Sequence, residues 1–214
     1  MKYKTNSADW IMHESNITHL PLDIDVPQKD IFSEWQTVMD RVTPHTKADG
    51  SPMDSRHTGW QSLELFAPPP GKTTVNSDRH GFISNDKHSW TDTANDCPIT
   101  VQWWKDTFKE DNFIGRLYFS WLLPGGSIGA HRDGQHSSLH GANVAITNPA
   151  GCHFHNGRAG IIDFDSHPVN MMNVSDKHWV LNNSDEPRLH MIYNGKVPVE
   201  IIERSYKKYE IQNR

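Results

Sequence analysis

Residues 176–194 read DKHWVLNNSDEPRLHMIYN, and the division of this stretch into elements decides the fold. Apolar and polar residues alternate in HWVLN (178–182) and again in RLHMIY (188–193). Between them Asn183, Ser184, Asp185, Glu186 and Pro187 form a run of turn residues. The stretch therefore predicts strand, five-residue loop, strand, a hairpin centred near Asn183. In that pairing His178 and Arg188, ten residues apart, lie across from one another with Cβ atoms about 5 Å apart on one face. Alternation puts His178, Val180 and Asn182 on one side of the first strand and Arg188, His190 and Ile192 on one side of the second. Leu189, Met191 and Tyr193 are left to pack elsewhere.

Working back toward the N-terminus, the same short alternating segments recur from Ile114 onward: GRLYFSWLL (115–123), GANVAIT (141–147), AGIIDFD (159–165) and VNMMNV (169–174). Many short strands separated by turn residues point to an antiparallel sandwich or barrel. Before residue 114 the pattern changes. Pro27 opens a segment whose apolar residues Ile31, Phe32, Trp35, Val38, Met39 and Val42 recur at helical spacing. A second helix follows Pro98 with Val101, Trp104 and Phe108, and WQSLELF (60–66) reads as a strand. APPPGK (67–72) and VNSDRHG (75–81) read as loops over a site. The 214 residues suffice for one good core. We expect a single domain: a helical and irregular part over 1–113, the β core over 114–195, and a polar tail over 196–214 that reads as a short helix, packing or solvated.

Composition narrows the function. The chain is 35% hydrophobic and 22% charged, as an ordinary folded protein is. A net charge of −5 supplies no general attraction to nucleic acid, so none is expected as a partner. No apolar stretch approaches the length of a membrane span, and MKYKTNSADWIMHESN at the N-terminus is too polar for a signal-peptide core, so a cytoplasmic location is expected. Cys97 and Cys152 lack CxxC spacing and read as reduced thiols. With 14 histidines in the chain, each His motif needs separate support.

In His131-Arg132-Asp133 the first and third side chains share a face if the segment is extended. The preceding PGGSIGA suits a turn into a strand end, a frequent place for ligands. HxD alone is weak, but His178 and Arg188 strengthen it. Two His and one carboxylate leave three adjacent positions open on iron(II), two for a chelating 2-oxo acid and one for oxygen. The far carboxylate of such an acid needs a fixed cation, and the planar, permanently charged fork of Arg188 suits that duty. His131, Asp133 and His178 are thus the metal-ligand and catalytic candidates, with Arg188 as the cosubstrate anchor.

These residues, with Phe119-Ser120 and Pro124-Gly125 upstream, resemble the core pattern of the aspartyl/asparaginyl β-hydroxylase family of iron(II), 2-oxoglutarate-dependent oxygenases, bacterial and phage-type members included. The resemblance covers roughly residues 115 to 195, and HTGWQSLELF, DCPITVQWW and LYFSWLLPGG also look like the family's N-terminal half. It implies a mainly β (α+β) fold, a double-stranded β-helix (the jelly roll of cupins) with N-terminal helices packed on it. It implies iron(II), 2-oxoglutarate and O2 as cofactors, Ser120 as a second donor to the 2-oxoglutarate carboxylate, and succinate and CO2 as coproducts. The substrate it implies is an amino-acid side chain, either a peptidyl Asp or Asn or a free amino acid such as proline. Two departures stand out. The family's animal hydroxylases lack the carboxylate ligand that Asp133 offers here. They also carry an Arg about nine residues after the first His, where this chain has His140 as the cosubstrate-binding candidate.

Other residues have plainer readings. GCHFHNG, with Cys152, His153 and His155, reads as a loop near the cosubstrate. Trp103, Trp104 and Trp121 read as core, and His190 as a satisfied core histidine. His57, Trp60 and Arg158 are candidates to meet a substrate at the mouth of the site. The alternative to an oxygenase is a non-catalytic, cupin-like binding or structural protein, which has little reason to keep both the triad and Arg188. The oligomeric state is not legible.

Overall fold

The structure is a computed structural model and describes residues 8–47, 51–67, 88–109, 113–133 and 139–212. Both proposed loops, apart from Ala67, lie outside the described residues.

The N-terminal part runs α1 (Ala8–His13), β1 (His19–Pro21), α2 (Gln28–Val38), β2 (Thr43–Pro44), β3 (Thr58–Ala67), β4 (Ser89–Trp90), α3 (Asp92–Asn95) and α4 (Pro98–Phe108). Both long helices appear where the spacing placed them, with Ile31, Trp35 and Val38 of α2 and Trp104 and Phe108 of α4 buried. Pro98 sits in the first turn of α4, where its missing N–H costs no helical bond. The remaining free donors there are met by Glu34 of α2. Its carboxylate accepts from the backbone N–H of Ile99 (2.6 Å) and Thr100 (2.8 Å) and from the Thr100 hydroxyl (2.7 Å). A buried carboxylate at a helix N-terminus satisfies orphan donors and complements the helix dipole, so one side chain joins the two helices.

Seven strands and a helix follow: β5 (Phe113–His131), β6 (His140–Ala145), β7 (Cys152–Asn156), β8 (Gly160–Ile162), β9 (Val169–Met172), β10 (His178–Asn182), β11 (Arg188–Gly195) and α5 (Val199–Gln212). All pairings are antiparallel, in the order β1-β9-β6-β11-β5-β10-β7-β8, with β3 along the other edge of β5. The 19-residue β5 organises the whole. Its first half pairs with β11, from Leu117 opposite Tyr193 to Leu122 opposite Arg188. Its last residues pair with β10, from Ser127 opposite Leu181 to His131 opposite His178. Pro124-Gly125 lies between the two blocks, and the φ of +69° at Gly125 is open to glycine at little cost. The strand bends there and belongs to two sheets, which fold over one another as a double-stranded β-helix.

Between the sheets lies an apolar interior that includes Leu122, Ile128, Cys152, Phe154, Phe164, Met172 and Val180. The outer face of the larger sheet carries the helices. Trp35 meets Phe119 with ring centroids 5.1 Å apart, and Trp104 and Phe108 meet Tyr193 at 5.1 and 4.9 Å. The tail, read as a short helix that packs or stays solvated, forms the 14-residue α5, which buries Ile201, Ile202 and Tyr206.

Two expectations are corrected. The stretch 176–194 is not a hairpin: β10 and β11 both run antiparallel to β5 and take successive lengths of its edge. The cause is at the corner. The Asn182 amide donates to the carbonyls of Leu122, Leu123 and Glu186, while its Oδ1 accepts from the Ser184 N–H and hydroxyl. These bonds carry the chain from the smaller sheet to the larger instead of reversing it. Second, GCHFHNG is not a loop. Cys152 and Phe154 point inward from β7 while His153 and His155 face outward, and the strand pairs with both β10 and β8.

Candidate metal and cosubstrate site

His131 ends β5 and His178 begins β10, and the two are direct ladder partners, with ring centroids 4.3 Å apart. Each ring is turned by a backbone carbonyl: His131 Nδ1 lies 2.7 Å from the Gly129 oxygen and His178 Nδ1 lies 2.9 Å from the Asp176 oxygen. A carbonyl only accepts, so both Nδ1 atoms carry the proton and both Nε2 atoms present a lone pair. Asp133, whose N–H donates to the Val174 carbonyl at 2.8 Å, sets its carboxylate against them. Oδ1 stands 3.5 Å from His131 Nε2 and Oδ2 stands 3.6 Å from His178 Nε2. The three ligand atoms lie within 4.8 Å of one another, the one such cluster found among the described residues. Desolvation tends to raise the Asp133 carboxyl, but hydrogen bonding by His178 and the charge of the imidazoles hold it below its ordinary value. Burial opposes and Asp133 outweighs it at His178, whose pKa is raised. Two Nε2 lone pairs and a carboxylate make a donor set that fits a divalent cation with iron(II) chemistry.

The other end of the interior is held by β11. Arg188 is 1% exposed, and among the described residues no carboxylate pairs with it. Its Nη2 donates to His190 Nδ1 at 2.7 Å, and its Nε has no partner among the described residues. Burial lowers its pKa to about 10, which still leaves a cation at neutral pH. A charge so buried without a counter-ion costs about 3–5 kcal/mol, so the pocket is complementary to an anion. Ser120 lies one ladder step away, opposite His190. The Trp60 indole N–H donates to Ser120 Oγ at 2.9 Å, which leaves the hydroxyl hydrogen to donate elsewhere.

The remaining candidates fall in different places. Trp60 is on the inner face of β3, stacked at 3.7 Å on His45, a buried imidazole that desolvation and Arg116 push down to about 3. His57 bridges the two ends, with ring centroids 5.6 Å from His131 and 5.7 Å from Trp60. Arg158 is committed elsewhere: it pairs with Asp176 at 2.8 Å and donates to the backbone and side chain of Asn16. It thereby braces the residue whose carbonyl orients His178. The His140 backbone, at the start of β6, pairs with Met172 of β9, and its side chain lies outside the described residues. His190, expected to be satisfied, has no partner for Nε2 among the described residues. Its place on the Arg188 face was legible from alternation. Sequence reasoning missed His45, which sits in an irregular segment without periodicity.

Among solved structures, a Pseudomonas putida prolyl-4-hydroxylase is 11% identical, covering 90% of this chain and 97% of its own, with a TM-score of 0.44. A prolyl hydroxylase from Trichoplax adhaerens, in complex with a hypoxia inducible factor peptide, is 8% identical, covering 94% and 89%, with a TM-score of 0.47. A 2OG-Fe(II) oxygenase family oxidoreductase from Burkholderia pseudomallei is 13% identical over 78% and 81%, with a TM-score of 0.44. No curated protein matches. The sequence profile described as aspartyl/asparaginyl beta-hydroxylase matches residues 27–198, most of the chain. The chain therefore belongs to the aspartyl/asparaginyl β-hydroxylase family.

Proposed function

We propose that His131, Asp133 and His178 bind iron(II), that Arg188 and Ser120 bind the distal carboxylate of 2-oxoglutarate, and that the enzyme hydroxylates an amino-acid side chain. The observation that carries this reading is the buried, uncompensated Arg188 cation facing the same interior as the two Nε2 lone pairs and Asp133. Iron(II), 2-oxoglutarate and oxygen, when bound, supply the oxidising power for C–H hydroxylation, with succinate and CO2 as coproducts. The protein's own residues provide position. Gly129 and Asp176 hold the two imidazoles in the ligating tautomer. Arg188 neutralises a carboxylate far from the metal, and Trp60 turns the Ser120 hydroxyl toward the same group. Phe154, stacked on His178 at 5.7 Å, sets the apolar interior against the inner side of the reacting end. The substrate is a peptidyl Asp or Asn or a free amino acid such as proline, entering beside His57 and Trp60.

The test is an anaerobic titration of purified protein with iron(II) and then 2-oxoglutarate, read by the visible charge-transfer absorption of a chelated 2-oxo acid. Succinate is then measured under air. Wild type should develop the band and form succinate; His178→Ala should do neither, and Arg188→Ala should need far more 2-oxoglutarate. A wild type that binds neither iron nor 2-oxoglutarate would overturn the proposal.

A further inference from the structure

His190 is the second polar residue on the inner face of β11, two positions after Arg188, and it is 0% exposed. It stands opposite Ser120 on β5 and opposite Ala145 on β6, so Arg188, His190 and Ser120 surround one small volume. Its tautomer follows from its neighbours. Arg188 Nη2 lies 2.7 Å from Nδ1, and a guanidinium only donates, so Nδ1 is the bare, accepting nitrogen and the proton sits on Nε2. Asn143 Oδ1 is also placed 2.7 Å from Nδ1, an acceptor facing an acceptor. Turning that amide over presents N–H to Nδ1 and leaves the same tautomer. Burial and the adjacent Arg188 hold the imidazole well below its ordinary pKa, so the ring is neutral.

Nε2–H is then a buried donor without a partner among the described residues, and a buried donor of this kind is ordinarily met by an acceptor. The Phe164 ring packs edge-on against the imidazole with centroids 4.7 Å apart and supplies no oxygen or nitrogen acceptor. The anion that Arg188 requires is the acceptor within reach. We propose that His190 is a third binding residue for the distal carboxylate of 2-oxoglutarate, donating through Nε2–H beside Arg188 and Ser120. This rests on the 2-oxoglutarate reading above. Its chemical consequence is that one cation and two neutral donors share the carboxylate. Nδ1 meanwhile takes one Arg188 N–H, and the Arg188 Nε–H, which has no partner among the described residues, remains for the same acid.

The experiment separates carboxylate binding from general packing by shortening the ligand. Dissociation constants for 2-oxoglutarate and for 2-oxobutyrate, which lacks the distal carboxylate, are measured anaerobically with iron(II)-loaded wild type, His190→Leu and His190→Gln. Hydrogen bonds to a charged group lie at the strong end of the range, so His190→Leu should weaken 2-oxoglutarate roughly 10- to 100-fold. It should leave 2-oxobutyrate within about twofold, and the amide N–H of His190→Gln should restore part of the loss. In wild type loaded with zinc(II), the Nε2–H proton resonance of His190 should move downfield with 2-oxoglutarate and stay in place with 2-oxobutyrate. That measurement holds even if a variant fails to fold. Equal weakening of both acids, unchanged 2-oxoglutarate affinity, or an unmoved resonance overturns the His190 proposal while leaving the cosubstrate reading intact. Failure of wild type to bind 2-oxoglutarate overturns both.

Discussion

The two ends of the interior are built on opposite plans. At the metal end the ligands sit at strand termini, and the Asp133 side chain is 59% exposed. Its order comes from backbone carbonyls that fix the rings and from pairing between β5 and β10. At the anion end Arg188 begins β11 and His190 and Ser120 face each other across the β11–β5 ladder, and all three are almost fully buried. On the proposed reading the metal end exchanges its occupant with solvent, whereas the anion end is preformed and its buried charge is met by the entering acid. Preorganisation of this kind lowers the cost of binding and places an uncompensated charge in the ligand-free protein.

Substitutions that separate the two plans are the strongest tests. Arg188→Met should have the largest effect: 2-oxoglutarate affinity falls by at least roughly 100-fold, while the melting temperature of ligand-free protein stays at or above that of wild type because a buried charge is gone. A melting temperature well below wild type would mean that the cation has a counter-ion. Glu34→Ala, away from both ends, should do the reverse. Three donors at the start of α4 lose their acceptor, so denaturant unfolding should show a loss of about 2 kcal/mol with little change in 2-oxoglutarate affinity. Trp60→Phe keeps a ring against His45 and removes the N–H that orients Ser120. A drop of about 3- to 10-fold in 2-oxoglutarate affinity is expected, with iron affinity unchanged. The smallest effect belongs to Arg158→Ala, which loosens Asp176 behind His178. Iron titration should show a few-fold weaker metal and no change at the anion end; equal loss at both ends would show that the two are not independent.

Legibility in the sequence followed the reach of local rules. Period-two alternation put Arg188 and His190 on one face of β11 and Leu189, Met191 and Tyr193 on the other, and the structure has them so. The spacing of Ile31, Trp35 and Val38 placed α2. Alternation says nothing about which strand lies beside which, so the run from His178 to Tyr193 looked like two strands facing each other when β5 borders both. Deciding that required the Asn182 amide, whose acceptors on Leu122 and Leu123 are some sixty residues away in the chain. β7 was hidden because its inward residues, Cys152 and Phe154, are few and its outward ones, His153 and His155, look like ligands. The Trp60 contact with Ser120 joins β3 to β5 across sixty residues of chain, which neither alternation nor spacing reports.

The long β5 also has a consequence for biosynthesis. Its two edges are completed by β3, made earlier, and by β10 and β11, the last strands to be made. β6 also waits for β11 on one side. A nascent chain that has emerged only as far as β9 therefore presents open edges on β5 and β6, with the apolar residues between the future sheets uncovered. Closing contacts of such long sequence separation form slowly, and open edges of this kind recruit other chains. Synthesis of residues 178–195 is the step that brings His178 to His131 and His190 to Ser120 at once, so the β core and both ends of its interior are completed in a single event.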